Sequence, residues 1–367
     1  MESGKTLRLT ADCVYNAFLS SGKRHLLLTG GRGSGKSTLL AAIAKLLSEG
    51  TMQGLTTHAV RGEAVRLHEN GTEREARIGV FDPSLPGPEN RMRPLPDGFR
   101  ELGIPVLRQC AACGGWTAVD EIGYLEQSSP DYCGAIRNLM ERSQLLAAVR
   151  RQELPFLREL LTRSDAFIVD LDRPFGDIGC VIMASGLGKR FGDNKLMAAF
   201  DGAPMICRIL DATEDCFARR VVVTRHADVA ALCRERGIET VLHTLPLRSD
   251  TVRLGLEALG EPVGCMFCPS DQPLLRADTV RALALCAADD PASIWRVFAD
   301  GQVGTPTLFP QWCFPELRSL PEGKGGGVLA KKYPERVRCL TVADPGELMD
   351  ADTPDDLLRL QLRHTGI

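Results

Sequence analysis

No stretch of the 367 residues approaches the run of ~20 apolar residues that a membrane-spanning helix needs, so no membrane span is expected. Neither sign of charge dominates: 44 Lys and Arg stand against 47 Asp and Glu, a net charge of −3. That leaves no global electrostatic case for nucleic acid or for an anionic membrane as partner. The opening Met1-Glu2-Ser3-Gly4-Lys5 lacks the pattern of a secretory signal, and a cytoplasmic location is the expectation. There is no internal repeat, because the two glycine-rich loops differ in spacing. There is no disulfide framework either. The 13 cysteines are an odd number scattered over both halves, and in a reducing compartment they read as small buried apolar residues. Of two Cys-x-x-Cys pairs, Cys265/Cys268 lies in a strand-like run. Residues three apart on a strand face opposite sides and chelate poorly. Cys110/Cys113 precedes Gly114-Gly115 and reads as a loop; without a companion pair it is a weak metal or redox signal.

What is present is ordinary for a globular chain, with 44% hydrophobic and 25% charged residues. The length suits two domains with separate cores. They are placed at 1–173 and 178–367, joined where Pro174 and Gly176 interrupt any regular pattern. Strands and helices alternate in both halves, which is α/β character with mostly parallel sheets.

In the first half, the apolar run His25 to Thr29 leads into Gly30-Gly31-Arg32-Gly33-Ser34-Gly35-Lys36-Ser37-Thr38, and helical spacing follows from Leu39 to Leu47. Strand, glycine-rich loop and helix in this order form a phosphate-binding loop. The loop N–H groups at Gly30, Gly33 and Gly35 and the helix start at Thr38 would cradle phosphates. Lys36 would reach the β- and γ-phosphates, and the Ser37 hydroxyl would bind Mg²⁺. ATP or GTP is the expected ligand. A second strand, ending Val119-Asp120-Glu121-Ile122-Gly123, supplies Asp120 to hold the metal through water and Glu121 to orient or activate a water. Five prolines between Pro83 and Pro96 suggest an extended surface loop. Leu139 to Leu161 has helical spacing broken by Pro155, and Arg150-Arg151 reads as a solvated helix face. Ala166 to Asp170 reads as the last strand of this half.

In the second half, a buried strand, Cys180 to Met183, runs into Ala184-Ser185-Gly186-Leu187-Gly188-Lys189-Arg190-Phe191-Gly192-Asp193-Asn194-Lys195. Glycines at 186, 188 and 192 allow close backbone approach, and Lys189, Arg190 and Lys195 add charge, the makings of a polyanion site. The spacing is not a dinucleotide fingerprint, since Gly186 and Gly188 lack a third glycine at the right offset. Arg220 to Thr224 is a strand, Ala227 to Arg236 a helix, and Glu239 to Leu242 a strand. Ser249 or Asp250 suits a helix N-cap. Asp271 follows the strand through Cys268 and is placed either to bind a divalent cation or to form a turn before Pro273. Thr353 with Pro354 reads as a helix start, which leaves Asp350 unexplained by structure alone.

Two resemblances carry further implications. The first half resembles a small family of P-loop nucleoside triphosphatases whose second motif reads Asp-Glu-Ile-Gly-x-x-Glu, met by Asp120, Glu121, Ile122, Gly123 and Glu126. The second half resembles the nucleotidyltransferases that attach a nucleotide to the molybdenum cofactor, through Ala184, Gly186, Gly188, Arg190, Gly192 and Lys195, with Ser185 departing from the pattern. That resemblance implies a Rossmann-like domain and Mg²⁺ held by Asp271 and Asp350. It also implies triphosphate binding by Ala184, Ser185, Gly186, Gly188, Lys189, Arg190 and Lys195. Ser249 and Thr251 would lie beside the base, Gly304 and Pro306 would line the acceptor pocket, and Asp352 and Lys324 are secondary candidates. The family's Asp is missing from the segment Glu322 to Gly327. The expected reaction is attack of an acceptor phosphate on the α-phosphorus of a nucleoside triphosphate, releasing pyrophosphate. Relatives that use GTP read Leu-Ala-Gly-Gly and those that use CTP read x-Ala-Ala-Gly, so Met183-Ala184-Ser185-Gly186 leans to CTP. The expected acceptor is molybdopterin or its metal-loaded form. Expected partners extend to a molybdoenzyme or its chaperone. A sugar- or alcohol-phosphate acceptor, and a nucleotide-gated chaperone role, stay open.

Overall fold

A computed structural model describes residues 9–85, 91–188, 190–191 and 194–366. The chain divides into two compact units, Met1–Pro174 and Phe175–Ile367. Among the described residues no helix is long and apolar enough to cross a membrane.

The first unit is built on strands β1 (His25–Gly30), β2 (Gly54–Val60), β3 (Ala64–Glu69), β4 (Glu75–Phe81), β5 (Met92–Pro94), β6 (Trp116–Ile122), β7 (Gln144–Arg150) and β8 (Ala166–Asp170). They form one sheet in the order β5-β4-β3-β2-β6-β7-β1-β8. β2, β6, β7, β1 and β8 run parallel, while β3, β4 and β5 extend the sheet antiparallel. β1 is buried along its whole length, as a central parallel strand must be.

Two expectations fail here. Residues 144–150 are a strand rather than part of a helix: the helix Pro130–Arg142 stops before Ser143, and Leu145 to Val149 are fully buried between β6 and β1. Leu and Ala are good helix formers, but the buried centre of a parallel sheet takes any short apolar run. The proline-rich stretch is not one loop. Met92–Pro94 pairs at the sheet edge, and Pro96 opens a helical run that ends at Cys113. Residues 86–90, with Pro86 and Pro88, lie outside the described residues. Cys110 and Cys113 therefore end a helix rather than sit in a loop, one buried and one exposed.

The second unit holds β9 (Ile178–Ala184), the short β10 (Ala199–Phe200) and β11 (Ala203–Pro204), β12 (Arg219–Thr224), β13 (Glu239–Leu242), β14 (Gly264–Pro269), β15 (Ile294–Ala299), β16 (Gln302–Pro310) and β17 (Val337–Thr341). The main sheet runs β13-β12-β9-β14-β16-β15-β17, and only β16 is antiparallel to its neighbours. β9 lies between β12 and β14, so the loops after these three strands share one sheet end. That is the crevice outside the carboxyl ends where α/β sheets place ligands. Helix Arg248–Leu259 packs over β9 closely enough that a Cβ on Gly255 would stand 2.5 Å from Val181 Cγ1.

Candidate active sites

In the second unit the glycine-rich loop leaves β9 at Ala184, whose carbonyl accepts from Thr224 Oγ1 at 2.9 Å. Gly188 has φ +56, a conformation that favours glycine. Asn194 ends the loop: its side-chain oxygen accepts from Leu196 N at 3.2 Å, and its amide donates to both oxygens of Asp228 at 2.9 Å. The single helical turn Lys195–Met197 starts from that anchor. It turns Lys195 inward to 7% exposure.

Lys195 Nζ donates to Asp271 Oδ2 at 2.8 Å and to Asp352 Oδ1 at 3.1 Å. Arg190, itself exposed, donates to the other oxygen of Asp352 at 2.6 Å. Asp271 follows β14, and its backbone carbonyl accepts from Ala351 N at 2.8 Å, which ties the 350–352 segment to the sheet end. Gln272 joins the two acidic segments, donating to Asp350 Oδ1 at 3.0 Å, Leu348 O at 3.0 Å and Thr305 Oγ1 at 3.1 Å. Partial burial raises the Asp350 pKa, and the charges of Asp271 and Asp352 raise it further. Burial pushes the Lys195 pKa down, but Asp271 and Asp352 more than reverse this and leave it raised. Arg190, Lys195, Asp271 and Asp350 thus meet at one place, and Asp352 joins them. Lys189, Gly192 and Asp193 lie outside the described residues.

Beside the loop, Ser185 Oγ donates to Val223 O at 3.1 Å and lies 2.8 Å from His243 Nε2. The one hydroxyl proton is used on the carbonyl, so His243 carries its proton on Nε2 and donates it to Ser185. Burial lowers the His243 pKa, and Arg225 lowers it further. The Arg225 guanidinium donates twice to Ser185 O, and His226 Nε2 lies 2.8 Å from Gly186 O. Neither Ser249 nor Asp250 is the N-cap. Leu247 holds that place, and Asp250 reaches back from the third helical position to accept from Leu247 N at 3.1 Å. Thr251 is buried, and Lys324 is exposed on its loop.

In the first unit the phosphate loop leaves β1 at Gly30. Gly33 and Gly35 have φ +77 and +91. Thr38 is exposed on the first turn of helix Lys36–Leu47. Lys36 Nζ donates to Gly30 O at 2.9 Å, Gly31 O at 2.7 Å and Ser34 Oγ at 3.3 Å. Ser37 Oγ donates to Asp120 Oδ1 at 2.9 Å, so the two expected metal-side residues touch. Burial raises the Asp120 pKa, partly offset by the Ser37 hydrogen bond. β6 bulges between Val119 and Ile122, and within the bulge Glu121 takes φ +84. Its carboxylate pairs with Arg150. Asp172 Oδ2 accepts from Gly31 N at 2.7 Å, and Arg151 donates to Asp172 at 3.1 Å and pairs with Asp170. Arg150 and Arg151 are therefore strand-end residues at the phosphate loop rather than a solvated helix face, and Asp172 anchors that loop. Glu126 is buried and accepts from Gly123 N at 2.7 Å; burial pushes its carboxyl up to about 7.

A family model described as NTPase matches residues 25–175, and one described as MobA-like NTP transferase domain matches residues 180–337. The cancer-related nucleoside-triphosphatase homolog of Mus musculus is 31% identical over 169 residues, which cover 41% of this chain and 89% of that protein. The chain belongs to the NTPase family. Behind its NTPase domain it carries a MobA-like NTP transferase domain. A probable molybdenum cofactor guanylyltransferase of Pyrococcus horikoshii is 30% identical over 81 residues, 22% of this chain and 42% of that protein. The crystal structure of Rv0371c from Mycobacterium tuberculosis is 25% identical, with coverage of 50% and 98% of the two chains and a TM-score of 0.47.

Three neighbours of the transferase loop, Arg225, His226 and His243, escaped the reading of the sequence. The signal available was position: Arg225 and His226 directly follow β12, and His243 directly follows β13, both strands whose carboxyl ends open on the crevice. In the NTPase domain Asp172 was missed, because it follows the last strand close to Pro174 and nothing in its spacing ties it to Gly31.

Proposed function

We propose that the transferase domain transfers a nucleotidyl group from a magnesium-bound nucleoside triphosphate, CTP in preference to GTP, to the phosphate of a molybdopterin-type acceptor. The observation that carries this is the meeting of Lys195 with Asp271, Asp350 and Asp352 beneath a glycine-rich loop. Joining two anions requires cancellation of charge. Arg190 and Lys195 supply cations for the triphosphate. Asp271 and Asp350 have the hard oxygen donors Mg²⁺ takes, and burial together with the Asp271 charge raises the Asp350 pKa, a cost that a bound cation would relieve. Bound there, Mg²⁺ would supply charge stabilisation for the α-phosphorus and the departing pyrophosphate. The acceptor phosphate is ionised near neutral pH, so the mechanism needs no protein nucleophile. Its oxygen bonds to the α-phosphorus while the bond to the β-phosphate bridge breaks. The loop amides around Gly186 and Gly188 hold the triphosphate in line.

Base choice rests on residue 185. Its hydroxyl is engaged by Val223 and His243, so a side chain occupies space that glycine leaves open. That narrowing suits a pyrimidine. The test is pyrophosphate release with CTP, GTP and ATP and molybdopterin as acceptor. CTP is expected to be the fastest, and Ser185→Gly is expected to move the ratio toward GTP by about tenfold, the effect of a modest steric contact. GTP preferred by the parent, or a ratio untouched by Ser185→Gly, would reject this base assignment.

In the NTPase domain we infer hydrolysis of a magnesium-bound ATP or GTP. Lys36 would serve the β- and γ-phosphates, Ser37 and Asp120 the metal, and Glu121 the attacking water. The Ser37–Asp120 contact at the loop supports this arrangement.

A further inference from the structure

One cation outside the phosphate loop reaches the NTPase site from a neighbouring strand. Arg150 ends β7, which lies beside β6, and its guanidinium pairs with Glu121. The stem of Arg150 crosses Gly123: a Cβ there would stand 2.9 Å from Arg150 Cδ and 3.4 Å from Cγ. The glycine of Asp-Glu-Ile-Gly therefore leaves the room that the Arg150 stem occupies. Glu121 holds a left-handed φ of +84, which a non-glycine residue keeps only where its surroundings impose it. Glu121 neighbours Asp120, which Ser37 of the loop touches, so Arg150 stands beside the phosphate-binding residues.

The Arg150 and Glu121 side chains are 35% and 33% exposed, so their pair is screened and exchangeable. A triphosphate carries several negative charges and offers paired oxygens that match a guanidinium fork, so it competes well against a single carboxylate.

We propose that Arg150 is a cation supplied in cis to the terminal phosphate, passing from Glu121 to that phosphate when a nucleoside triphosphate occupies the loop. The transfer has two consequences. It brings positive charge to the oxygens of the γ-phosphate, and it releases Glu121 to orient water. The water oxygen bonds to the γ-phosphorus. The bond from the γ-phosphorus to the bridging oxygen breaks, its electron pair stays on the nucleoside diphosphate, and a water proton passes through Glu121 to solvent. This inference rests on the hydrolytic reading of the NTPase domain.

The test is phosphate release by the full chain with magnesium ATP and magnesium GTP, comparing the parent with Lys36→Ala, Arg150→Ala and Arg150→Lys. Arg150→Ala is expected to lower kcat by at least about 1000-fold with KM changed less than about threefold, the lower edge of what such an arginine supplies. Arg150→Lys keeps the charge and the stem but loses the fork, and should fall between the two while unfolding at the parental temperature. Binding of ADP with aluminium fluoride should weaken in Arg150→Ala while binding of ADP alone persists. Parental kcat in Arg150→Ala, alongside an inactive Lys36→Ala, would overturn the proposal and leave the hydrolytic reading standing. Parental phosphate release by Lys36→Ala would remove the hydrolytic reading itself. Equal loss of ADP binding and of aluminium fluoride complex in Arg150→Lys would mark Arg150 as structural and also overturn the proposal.

Discussion

Replacing Lys195 by methionine tests how the transferase site is held together. The Lys195 side chain is 9% exposed, and its ammonium lies between Asp271 at 2.8 Å and Asp352 at 3.1 Å. Removing one partner of a fully buried pair costs about 3–5 kcal/mol, because the other charge is left unpaired. Here the acids are 26% and 36% exposed, and water screens part of the loss. The expected cost at pH 7 is therefore about 1–3 kcal/mol, a fall of roughly 2–12 °C in the unfolding transition of this unit. The pH dependence has a definite sign. Asp350 has a folded-state pKa above its ordinary value, and Lys195 opposes that rise. Without the lysine the carboxyl rises further, and its protonated form favours the fold at low pH. The gap between parent and variant should narrow as pH falls from 7 toward 4. Mg²⁺ offers a replacement cation: at about 100 times its Kd it returns about 2.7 kcal/mol, and the variant should gain more from it than the parent. Thermal unfolding of the full chain at pH 7 and pH 4.5, with and without Mg²⁺, reads all three effects. A variant as stable as the parent at pH 7, indifferent to Mg²⁺, would refute the picture of acids gathered around a cation.

Glu126 sets a second expectation. Its folded pKa of about 7 exceeds the ordinary 4.5, so its contribution to stability is full below 4.5 and is lost as pH rises toward 7. That gap is worth roughly 3 kcal/mol. Glu126→Gln keeps an acceptor for Gly123 N and cannot ionise, so it should be the more stable protein at pH 8 and lose that advantage near pH 4.5; urea unfolding at both pH values checks this. Lys36→Ala should lose phosphate release by at least about 100-fold while pyrophosphate release at the transferase domain continues, and equal loss of both products would contradict separate chemistries.

The readable parts of the chain were those where one local pattern has one structural solution. A strand, a glycine-rich loop with Lys36 and Ser37, and a helix can be joined in few ways, and the same holds for β9 and the loop to Lys195. Asp271 and Asp350 were legible as acids following an apolar strand and preceding a capped helix. β7 was not, because Leu145 to Val149 suit a helix as well as a strand until the parallel sheet around them decides. Strands β2 to β4 were hidden in a charged composition, although Asn70-Gly71 between β3 and β4 is the kind of dipeptide that closes a hairpin. Gly54 tells the same story from packing: a Cβ there would stand 1.9 Å from Ala118 O, a contact that exists only once β2 pairs with β6. Arg150, Asp172, His243 and Asp352 act across long chain separations, and no spacing rule links Asp172 to Gly31 or Asp352 to Lys195.

The proposed nucleotidyl transfer depends on Asp271 and its cationic partner. It is tested most directly by pyrophosphate release from magnesium CTP and molybdopterin by Asp271→Asn, which keeps the side chain's shape and removes its charge. The account predicts a loss of at least about 100-fold in kcat, with the fold intact by circular dichroism. Release within a fewfold of the parent would contradict it.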